Sequence, residues 1–320
     1  MSTNRLTVRV VRKLDETADI CSFELSDPAG GALPPFTAGA HVDVYLPDGI
    51  TRQYSLCGEP SEFNRYRIAV LREPASRGGS RAMHDSVRQD DLLQIGVPRN
   101  LFALEESAAR HILLAGGIGV TPLLCMAQRL AAIGADFELH YCARSVERMA
   151  FRAQLAQASF ADRVHFHVDD GAPEQKLDLA AVCAPSAGTH LYVCGPKGFM
   201  DAVLGTARGR GWPEDRLHYE FFAADPVSAS QDGAFSVRLA NTGLTVQVPA
   251  ECSVTQALAK AGIDVPVSCE QGICGTCLTR VLEGQPDHRD LYLSPEEQAR
   301  NDQFTPCCSR SKTPMLVLDL

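Results

Sequence analysis

The first hundred residues contain short stretches in which hydrophobic and polar side chains alternate or β-branched residues run together. Residues 6–11, 41–46 and 66–71 show these patterns, which are typical of β-strands. Turn-forming residues, including the prolines at 34–35 and the segment 47–49, separate the strands. Strands at this spacing predict a small antiparallel β-barrel.

The pattern changes near residue 110, where strands begin to alternate with helices. A continuous apolar run at 111–115 ends in two glycines and is followed by a helical pattern over 122–133. Further strands are predicted at 137–142, 164–168 and 190–194, and further helices at 147–157 and 196–208. Such alternation predicts a parallel sheet that is covered on both faces.

A third pattern follows the small and polar stretch 223–233, which is typical of a linker. Residues 235–239 and 244–248 predict a hairpin, and 254–261 predict a short helix. Residues 278–281 predict a strand that leaves the loop. A hairpin, a helix, a loop and returning strands are the parts of a β-grasp domain.

These patterns predict a multidomain protein that combines α+β and α/β architectures. Its 320 residues suffice for two or three separate cores. We predict an antiparallel β-barrel at 1–104, a parallel-sheet α/β domain at 105–225, a linker at 226–233 and a β-grasp domain at 234–320.

Composition and charge narrow the class of protein. The content of 45% hydrophobic and 22% charged residues is that of an ordinary globular protein. The net charge of −9 argues against nucleic acid or an anionic membrane as a partner, because both attract basic surfaces. The N-terminal residues lack the apolar core of a signal peptide, and no run approaches a membrane span. We therefore expect a cytoplasmic protein whose twelve cysteines stay reduced.

Four cysteines near the C-terminus carry the strongest chemical signal. Cys269, Cys274 and Cys277 follow the spacing C-x4-C-x2-C, and Cys307 lies further along the chain. This is the plant-type ligand pattern of a [2Fe–2S] cluster. The glycines between the ligands, at 272 and 275, allow the tight bends that such a loop requires.

Other readings of the same cysteines have to be weighed. The pair Cys274 and Cys277 alone also suits half of a zinc knuckle or a redox CxxC motif. A zinc site would need a second close pair, and adjacent Cys307 and Cys308 form a poor one. A redox CxxC would open a helix without Cys269 beside it. The pattern therefore favours the cluster, and spacing alone prefers Cys307 over Cys308 as the fourth ligand.

Two glycine turns lie where strands of the predicted parallel sheet end. Gly116-Gly117-Ile118-Gly119-Val120-Thr121-Pro122 joins a buried strand to a helix, where free N–H groups favour a pyrophosphate. It departs from the G-x-G-x-x-G fingerprint, so a merely tight turn is an open alternative. Cys194-Gly195-Pro196 ends a later strand, either as a simple strand end or as part of the same ligand-binding edge.

The barrel segment contains two further candidate motifs. Arg52-Gln53-Tyr54-Ser55-Leu56 offers a guanidinium for a phosphate and an aromatic ring for a flat cofactor, although each could simply belong to a strand. Arg77-Gly78-Gly79-Ser80 offers backbone N–H groups and a hydroxyl suited to a terminal phosphate, or forms an ordinary surface turn.

Taken together, the five motifs resemble, in order, those of the phthalate dioxygenase reductase family, which includes vanillate demethylase and carnitine monooxygenase reductases. The resemblance covers nearly the whole chain. It implies an FMN-binding barrel, an NADH-binding domain and a C-terminal plant-type ferredoxin domain. Residue 53 is a departure, since Gln53 stands where relatives often have threonine.

The resemblance also implies roles for individual residues. Arg52, Tyr54 and Ser55 would contact the flavin, and Gly78, Gly79 and Ser80 would hold the FMN phosphate. The remaining residues implied in cofactor binding belong to the NADH site or lie near the flavin: Gly117, Gly119 and Thr121 along the pyrophosphate, Cys194, Gly195 and Pro196 near the nicotinamide, Arg144 near the ribose, and Phe222 near the flavin.

The choice between NADH and NADPH depends on charges near the ribose. A cation such as Arg144 suits NADPH, but the family has comparable residues there and uses NADH. Asp169 and Asp170, which follow the third strand, would repel an additional phosphate if they lie nearby. We therefore expect NADH.

The sequence thus predicts a monomeric reductase that passes electrons from NADH through FMN and [2Fe–2S] to a separate Rieske-type oxygenase. No side chain is needed as an acid or a base. The oxygenase would act on an aromatic acid or a quaternary amine. The alternatives are a reductase for a non-Rieske acceptor and an iron–sulfur carrier without NADH turnover, which would need neither glycine turn.

Overall fold

The computed structural model describes residues 5–46, 49–74, 78–222 and 233–320. The chain divides into two compact units, Met1–Phe222 and Ala223–Leu320. The strands of the first unit are β1 Arg5–Asp15, β2 Ile20–Ser26, β3 His41–Tyr45, β4 Thr51–Ser55, β5 Tyr66–Leu71, β6 Leu92–Gly96, β7 Arg110–Gly116, β8 Phe137–Ala143, β9 Val164–Val168, β10 Thr189–Cys194 and β11 Leu217–Glu220. Its helices are α1 Gly79–Asp85, α2 Val120–Ala132, α3 Arg152–Ala156, α4 Leu179–Val182 and α5 Lys197–Gly209.

The second unit is built mostly of short strands. These are β12 Phe235–Leu239, β13 Thr245–Val248, β14 Thr279–Glu283, β15 Pro286–Asp287, β16 Gln303–Phe304, β17 Arg310–Ser311 and β18 Met315–Leu318. Its helices are α6 Val254–Lys260 and α7 Pro295–Arg300.

The first six strands form an antiparallel sheet in the order β4-β3-β6-β1-β2-β5. A bridge between Leu56 and Ile68 joins the two edge strands, so the sheet closes on itself as a barrel. Inward-facing side chains such as Val8, Phe23 and Val42 are fully buried, in keeping with the alternation of the sequence. The predicted barrel is therefore confirmed.

The five strands β11-β10-β7-β8-β9 form a parallel sheet in that order. Its apolar strands are covered on both faces, by α2 on one side and by α5 on the other, where Leu114 and Val193 pack with Met200. The strand order reverses at β7, because β8 and β9 are added on one side of it and β10 and β11 on the other. That reversal places both glycine turns at the carboxyl edge of the sheet, where open α/β sheets bind ligands.

In the second unit the strands lie in the order β13-β12-β18-β14-β16. β12 and β13 form the predicted antiparallel hairpin, and β18 adds a parallel partner to β12. Helix α6 begins with a capping box between Ser253 and Gln256 and buries Val254 and Leu258 in the core. A mixed sheet with helix α6 packed against it is the predicted β-grasp fold.

Several predicted boundaries differ from the structure. The helix expected over 147–157 is only Arg152–Ala156, because Phe151 adopts a left-handed conformation (φ 60°) that no α-helix continues through. The predicted linker 226–233 lies almost wholly outside the described residues, as do Pro47, Asp48 and Arg77.

The predicted boundary between residues 104 and 105 lies within one compact unit. A single hydrophobic cluster runs from barrel residues such as Val8 to sheet residues such as Leu113 and Cys194. The proposed division at this position stays a prediction. Among the described residues, no helix is both long and apolar enough to cross a membrane.

Candidate functional site

The four predicted cluster ligands lie on two segments of the second unit. Cys269, Cys274 and Cys277 occupy the loop between α6 and β14, and Cys307 follows β16. All four are buried. Their thiols meet in two pairs: a hydrogen bond from Cys269 lowers the pKa of Cys274, and one from Cys307 lowers the pKa of Cys277. Two thiolates for each of two irons is the ligand set of a [2Fe–2S] cluster, so the donor set fits that cofactor.

The backbone of the loop is shaped by its glycines. Gly272 (φ 71°) and Gly275 (φ 67°) adopt left-handed conformations. A Cβ on Gly272 would overlap the sulfur of Cys308, and one on Gly275 would overlap the ring of Tyr292. The Gln271 N–H group donates a hydrogen bond to Cys269 Sγ (3.4 Å). The loop therefore requires glycine for conformation and for space, as the sequence predicted.

Cys308 lies in different surroundings from Cys307. Its sulfur is 3.2 Å from Thr305 Oγ1 and 3.8 Å from Ser309 Oγ, on the side of Gly272. Cys307 is the one that pairs with Cys277. This placement favours Cys307 as the fourth ligand.

The two glycine turns of the parallel sheet pack directly on each other. A Cβ on Gly119 would overlap the carbonyl oxygen of Cys194, and one on Gly195 would lie 2.9 Å from Gly116 Cα. Only glycine permits such a backbone approach. The two turns thus form one surface at the reversal point of the sheet.

Gly117 and Thr121 occupy different environments within the first turn. Gly117 (φ 54°) has open space where a Cβ would lie, so its backbone is accessible from the crevice. Thr121 is buried, and its hydroxyl donates to the carbonyl of Ile118 (3.0 Å). Thr121 therefore fastens the turn that opens α2, and its expected contact with the pyrophosphate stays a prediction.

Glu220, which the sequence did not identify as a site residue, connects Ser55 of the barrel with Cys194 of the parallel sheet. It lies opposite Cys194 in the register of β10 and β11. Ser55 Oγ donates to Glu220 Oε2 across 3.4 Å. Burial raises the pKa of Glu220 to about 8, and burial together with Glu220 raises the pKa of Cys194. Both groups therefore carry protons at neutral pH.

Only one sequence signal could have identified Glu220. It is an acidic residue directly before the aromatic pair at 221–222, at the end of a strand that closes a parallel sheet. That signal is weak, because the burial of the carboxyl depends on β10 and on the barrel.

The alternation of β4 divides its side chains between two faces. Arg52 and Tyr54 share one face, and Gln53 shares the other with Ser55. The Gln53 amide donates to Asp43 Oδ1 (3.1 Å), which is also bonded by Arg99 (2.8 Å). Gln53 therefore belongs to a polar network of the barrel.

The start of α1 lies against Arg52. Gly78 adopts a φ of 101°, and a Cβ on Gly79 would lie 2.6 Å from Arg52 Cγ. Ser80 Oγ accepts a hydrogen bond from the Glu73 N–H group (3.2 Å). The guanidinium and the glycine turn, which are far apart in sequence, are thus brought together.

The residues expected near the ribose also come together. Arg144 is exposed after β8, and its carbonyl accepts a hydrogen bond from the Asp170 N–H group (3.1 Å). The Asp169 N–H group bonds the carbonyl of Ala143 in the same way (3.1 Å). Phe222, at the end of the first unit, is 38% exposed.

Comparison with family profiles finds two matches. The "2Fe-2S iron-sulfur cluster binding domain" matches residues 237–312. The "Dimethylamine monooxygenase subunit DmmA-like, N-terminal domain" matches residues 97–217.

Individual proteins match over nearly the full chain. A vanillate O-demethylase oxidoreductase of Pseudomonas sp. (strain HR199 / DSM 7063) is 59% identical over 94% of this chain and 96% of its own. A phthalate dioxygenase reductase of Burkholderia cepacia is 41% identical over 98% and 97%. A solved structure, "Phthalate dioxygenase reductase: a modular structure for electron transfer from pyridine nucleotides to [2Fe-2S]", has a TM-score of 0.81 and 40% identity, covering 99% of this chain and 98% of that one.

Proposed function

This chain belongs to the family of phthalate dioxygenase reductase and the vanillate O-demethylase oxidoreductases, and from that premise we propose that it serves a Rieske-type oxygenase that demethylates a methoxylated aromatic acid. It is an NADH-dependent reductase with FMN and a [2Fe–2S] cluster, and it supplies electrons to an oxygenase component. The observation that carries the finer assignment is the 59% identity with a vanillate O-demethylase oxidoreductase along almost the full length.

We assign the cluster to Cys269, Cys274, Cys277 and Cys307. The two thiol pairs and the N–H group of Gln271 support this ligand set. When bound, FMN accepts two electrons as a hydride and the cluster passes them on singly. The protein's part is to hold the donors in a buried loop, where backbone N–H groups tune the sulfurs.

The flavin side of the proposed site is built from β4 and the start of α1. Arg52 and the backbone of Gly78, Gly79 and Ser80 would bind the phosphate, because a guanidinium lies directly beside a glycine turn. Tyr54, on the same face as Arg52, would contact the flavin ring.

The nicotinamide side is built from the paired turns. Gly117, Gly119 and Thr121 would follow the pyrophosphate, and Gly195 and Pro196 would line the crevice beside Cys194. Ser55 and Glu220 support this arrangement because their hydrogen bond connects the barrel with the strand next to Cys194. Ser55, Cys194 and Glu220 would exclude water and orient the ring, while no side chain has to exchange a proton with the substrate.

The carboxylates beside Arg144 favour NADH over NADPH. The main-chain N–H groups of Asp169 and Asp170 bond the carbonyls of residues 143 and 144, so both aspartates lie next to the segment expected at the ribose. An additional 2′-phosphate would be repelled there unless Arg144 compensates for both.

The test uses anaerobically purified protein with full flavin and iron content. NADH should bleach the flavin and then the cluster, and NADPH should do so much more slowly. Adding purified candidate oxygenases should give NADH-coupled product with the vanillate-type oxygenase in preference to a phthalate-type enzyme. Cluster bleaching with turnover of only a non-Rieske acceptor would contradict the partner assignment, and an unbleached cluster would contradict the reductase.

We also propose that the protein works in the cytoplasm as a monomer. A cytoplasmic location would keep the cluster thiols reduced. Light scattering of the holoprotein at several concentrations tests the monomer, and a mass that rises with concentration would contradict it.

A further inference from the structure

Four side chains with ligating atoms lie on one face of β8 and β9. They precede, in sequence, the residues that follow these strands and are expected at the ribose. Glu138 and His140 lie two apart on β8, and His165 and His167 lie two apart on β9. His140 is opposite His165 in the parallel register, so all four side chains project to the same side. The ligating atoms of Glu138, His140 and His165 lie within 4.8 Å of one another.

The hydrogen bonds of this cluster fix the orientation of the His140 ring. His140 Nδ1 and His167 Nε2 are 3.1 Å apart. His167 is in turn hydrogen bonded to the backbone at Gln175 and Lys176. His167 therefore acts as a support that holds the ring of His140 in place.

The second ring nitrogen of His140 is directed at the carboxylate of Glu138. His140 Nε2 lies 3.4 Å from Glu138 Oε2. A cation held between the two atoms would be bonded by both, because a neutral imidazole nitrogen and a carboxylate oxygen each offer a lone pair.

The carboxylate is already oriented for a ligand. Arg110 Nη2 donates to Glu138 Oε1 (2.6 Å), which leaves Oε2 directed at His140. Hydrogen-bonded supports of this kind are what ligating carboxylates and histidines usually have.

His165 completes a three-sided arrangement. It is exposed and stacks on His140, with ring centroids 4.8 Å apart. A tetrahedral ion with bonds of about 2.0–2.1 Å needs its ligand atoms roughly 3.3 Å apart. Binding an ion therefore requires the exposed His165 ring to rotate out of its stack on His140, which its soft terminal torsion permits.

We propose that Glu138, His140 and His165 bind a divalent transition-metal ion such as Zn²⁺, with His167 positioning His140 and water filling the fourth position. Two imidazoles and a carboxylate suit zinc and its neighbours in the first transition row. Because β9 is the edge strand of the parallel sheet, the ion would tie that edge to β8.

The test is calorimetric titration of Zn²⁺ into the intact holoprotein. The wild type should take up one Zn²⁺, and both Glu138→Gln and His165→Gln should weaken that binding at least tenfold. The matched control is His190→Gln. His190 belongs to a second stacked histidine pair, with His218, on β10 and β11, and its loss should leave the affinity unchanged.

A second readout separates this site from the cysteines. Zn²⁺ should raise the Tm of the wild type and of His190→Gln but not that of His165→Gln. Flavin and iron contents equal to the wild type establish that the exposed His165→Gln variant is folded. An absence of Zn²⁺ uptake by the wild type, or uptake that persists unchanged in Glu138→Gln and His165→Gln, would overturn the proposal.

Discussion

Cys307 and Cys308 are neighbours in sequence, and their thiols are hydrogen bonded to each other. Cys307 also meets Cys277, whereas Cys308 lies beside Thr305 and Ser309. We therefore expect Cys307→Ser to lose the electron paramagnetic resonance signal of the reduced cluster and Cys308→Ser to keep it. Flavin reduction by NADH should survive in both variants and serves as the control. Loss of the iron signal in Cys308→Ser alone would show that the fourth ligand has been misassigned.

The buried carboxyl of Glu220 should make stability depend on pH. Its pKa is raised from 4.5 to about 8 by burial, so the folded state holds a proton that the unfolded state releases between these values. The contribution of Glu220 to the free energy of unfolding is therefore greatest below about pH 4.5. It declines as the pH rises to about 8, by at most about 1.4 kcal/mol per pH unit.

The variant Glu220→Gln should flatten this dependence, as measured by thermal unfolding of the holoprotein at several pH values between 5 and 8. The control is Glu214→Gln, at an exposed carboxyl whose pKa is lowered by its hydrogen bond from Arg208. A Glu220→Gln profile that remains parallel to that of the wild type would show that the carboxyl is already ionised in the folded protein.

The crevice at the carboxyl edge of the parallel sheet forms where the turn before α2 contacts the turn before α5. Gly119→Ala places a methyl group onto the carbonyl of Cys194 and would push the turn before α2 away from the turn before α5. Overpacking of this kind costs typically 1–3 kcal/mol. We expect a lower Tm and a KM for NADH raised at least tenfold, measured with ferricyanide as acceptor.

Gly205→Ala is the matched control, because it lies within α5 with no atom within 4 Å of the added carbon. Alanine there should be neutral or stabilising by about 0.5–1 kcal/mol. Equal KM values for NADH in the two variants would contradict the proposed role of the paired turns.

Of the boundaries that the sequence pattern predicts, the one between residues 104 and 105 lies inside a single compact unit. The barrel and the parallel sheet share one hydrophobic cluster, whereas the second unit has its own core around Phe235, Leu258 and Leu316. A fragment of residues 1–222 should therefore fold and reduce its flavin with NADH. The fragment 233–320 should fold separately and hold the iron.

A fragment of residues 1–104 should aggregate, because it exposes barrel side chains that pack against the sheet. Gel filtration and circular dichroism of the three fragments test this. A monomeric, cooperatively folded 1–104 fragment would show that the barrel is an independent domain, as the sequence pattern predicts.

The parts of the fold that were predictable are those encoded by local pattern. Local pattern indicates how much of an element is buried, as in the alternation along β3 and β5, the apolar run of β7 and the helical period of α2. The three architectures could therefore be predicted from the sequence. The cysteine spacing predicted the cluster for the same reason, because three of the ligands lie on one loop whose length sets their separation. The helix at 147–157 was wrong in length, because Phe151 adopts a conformation that no periodicity reveals.

Long-range contact decided the remainder. The sequence contains Ser55, Cys194 and Glu220 but gives no reason to place them together, because their distances depend on how the barrel packs against β10 and β11. Burial then sets their protonation. The histidine cluster of β8 and β9 arises in the same way, since only the parallel register brings His140 beside His165. Local pattern determines which elements form, whereas desolvation and proximity, which set the chemistry, exist only once those elements pack.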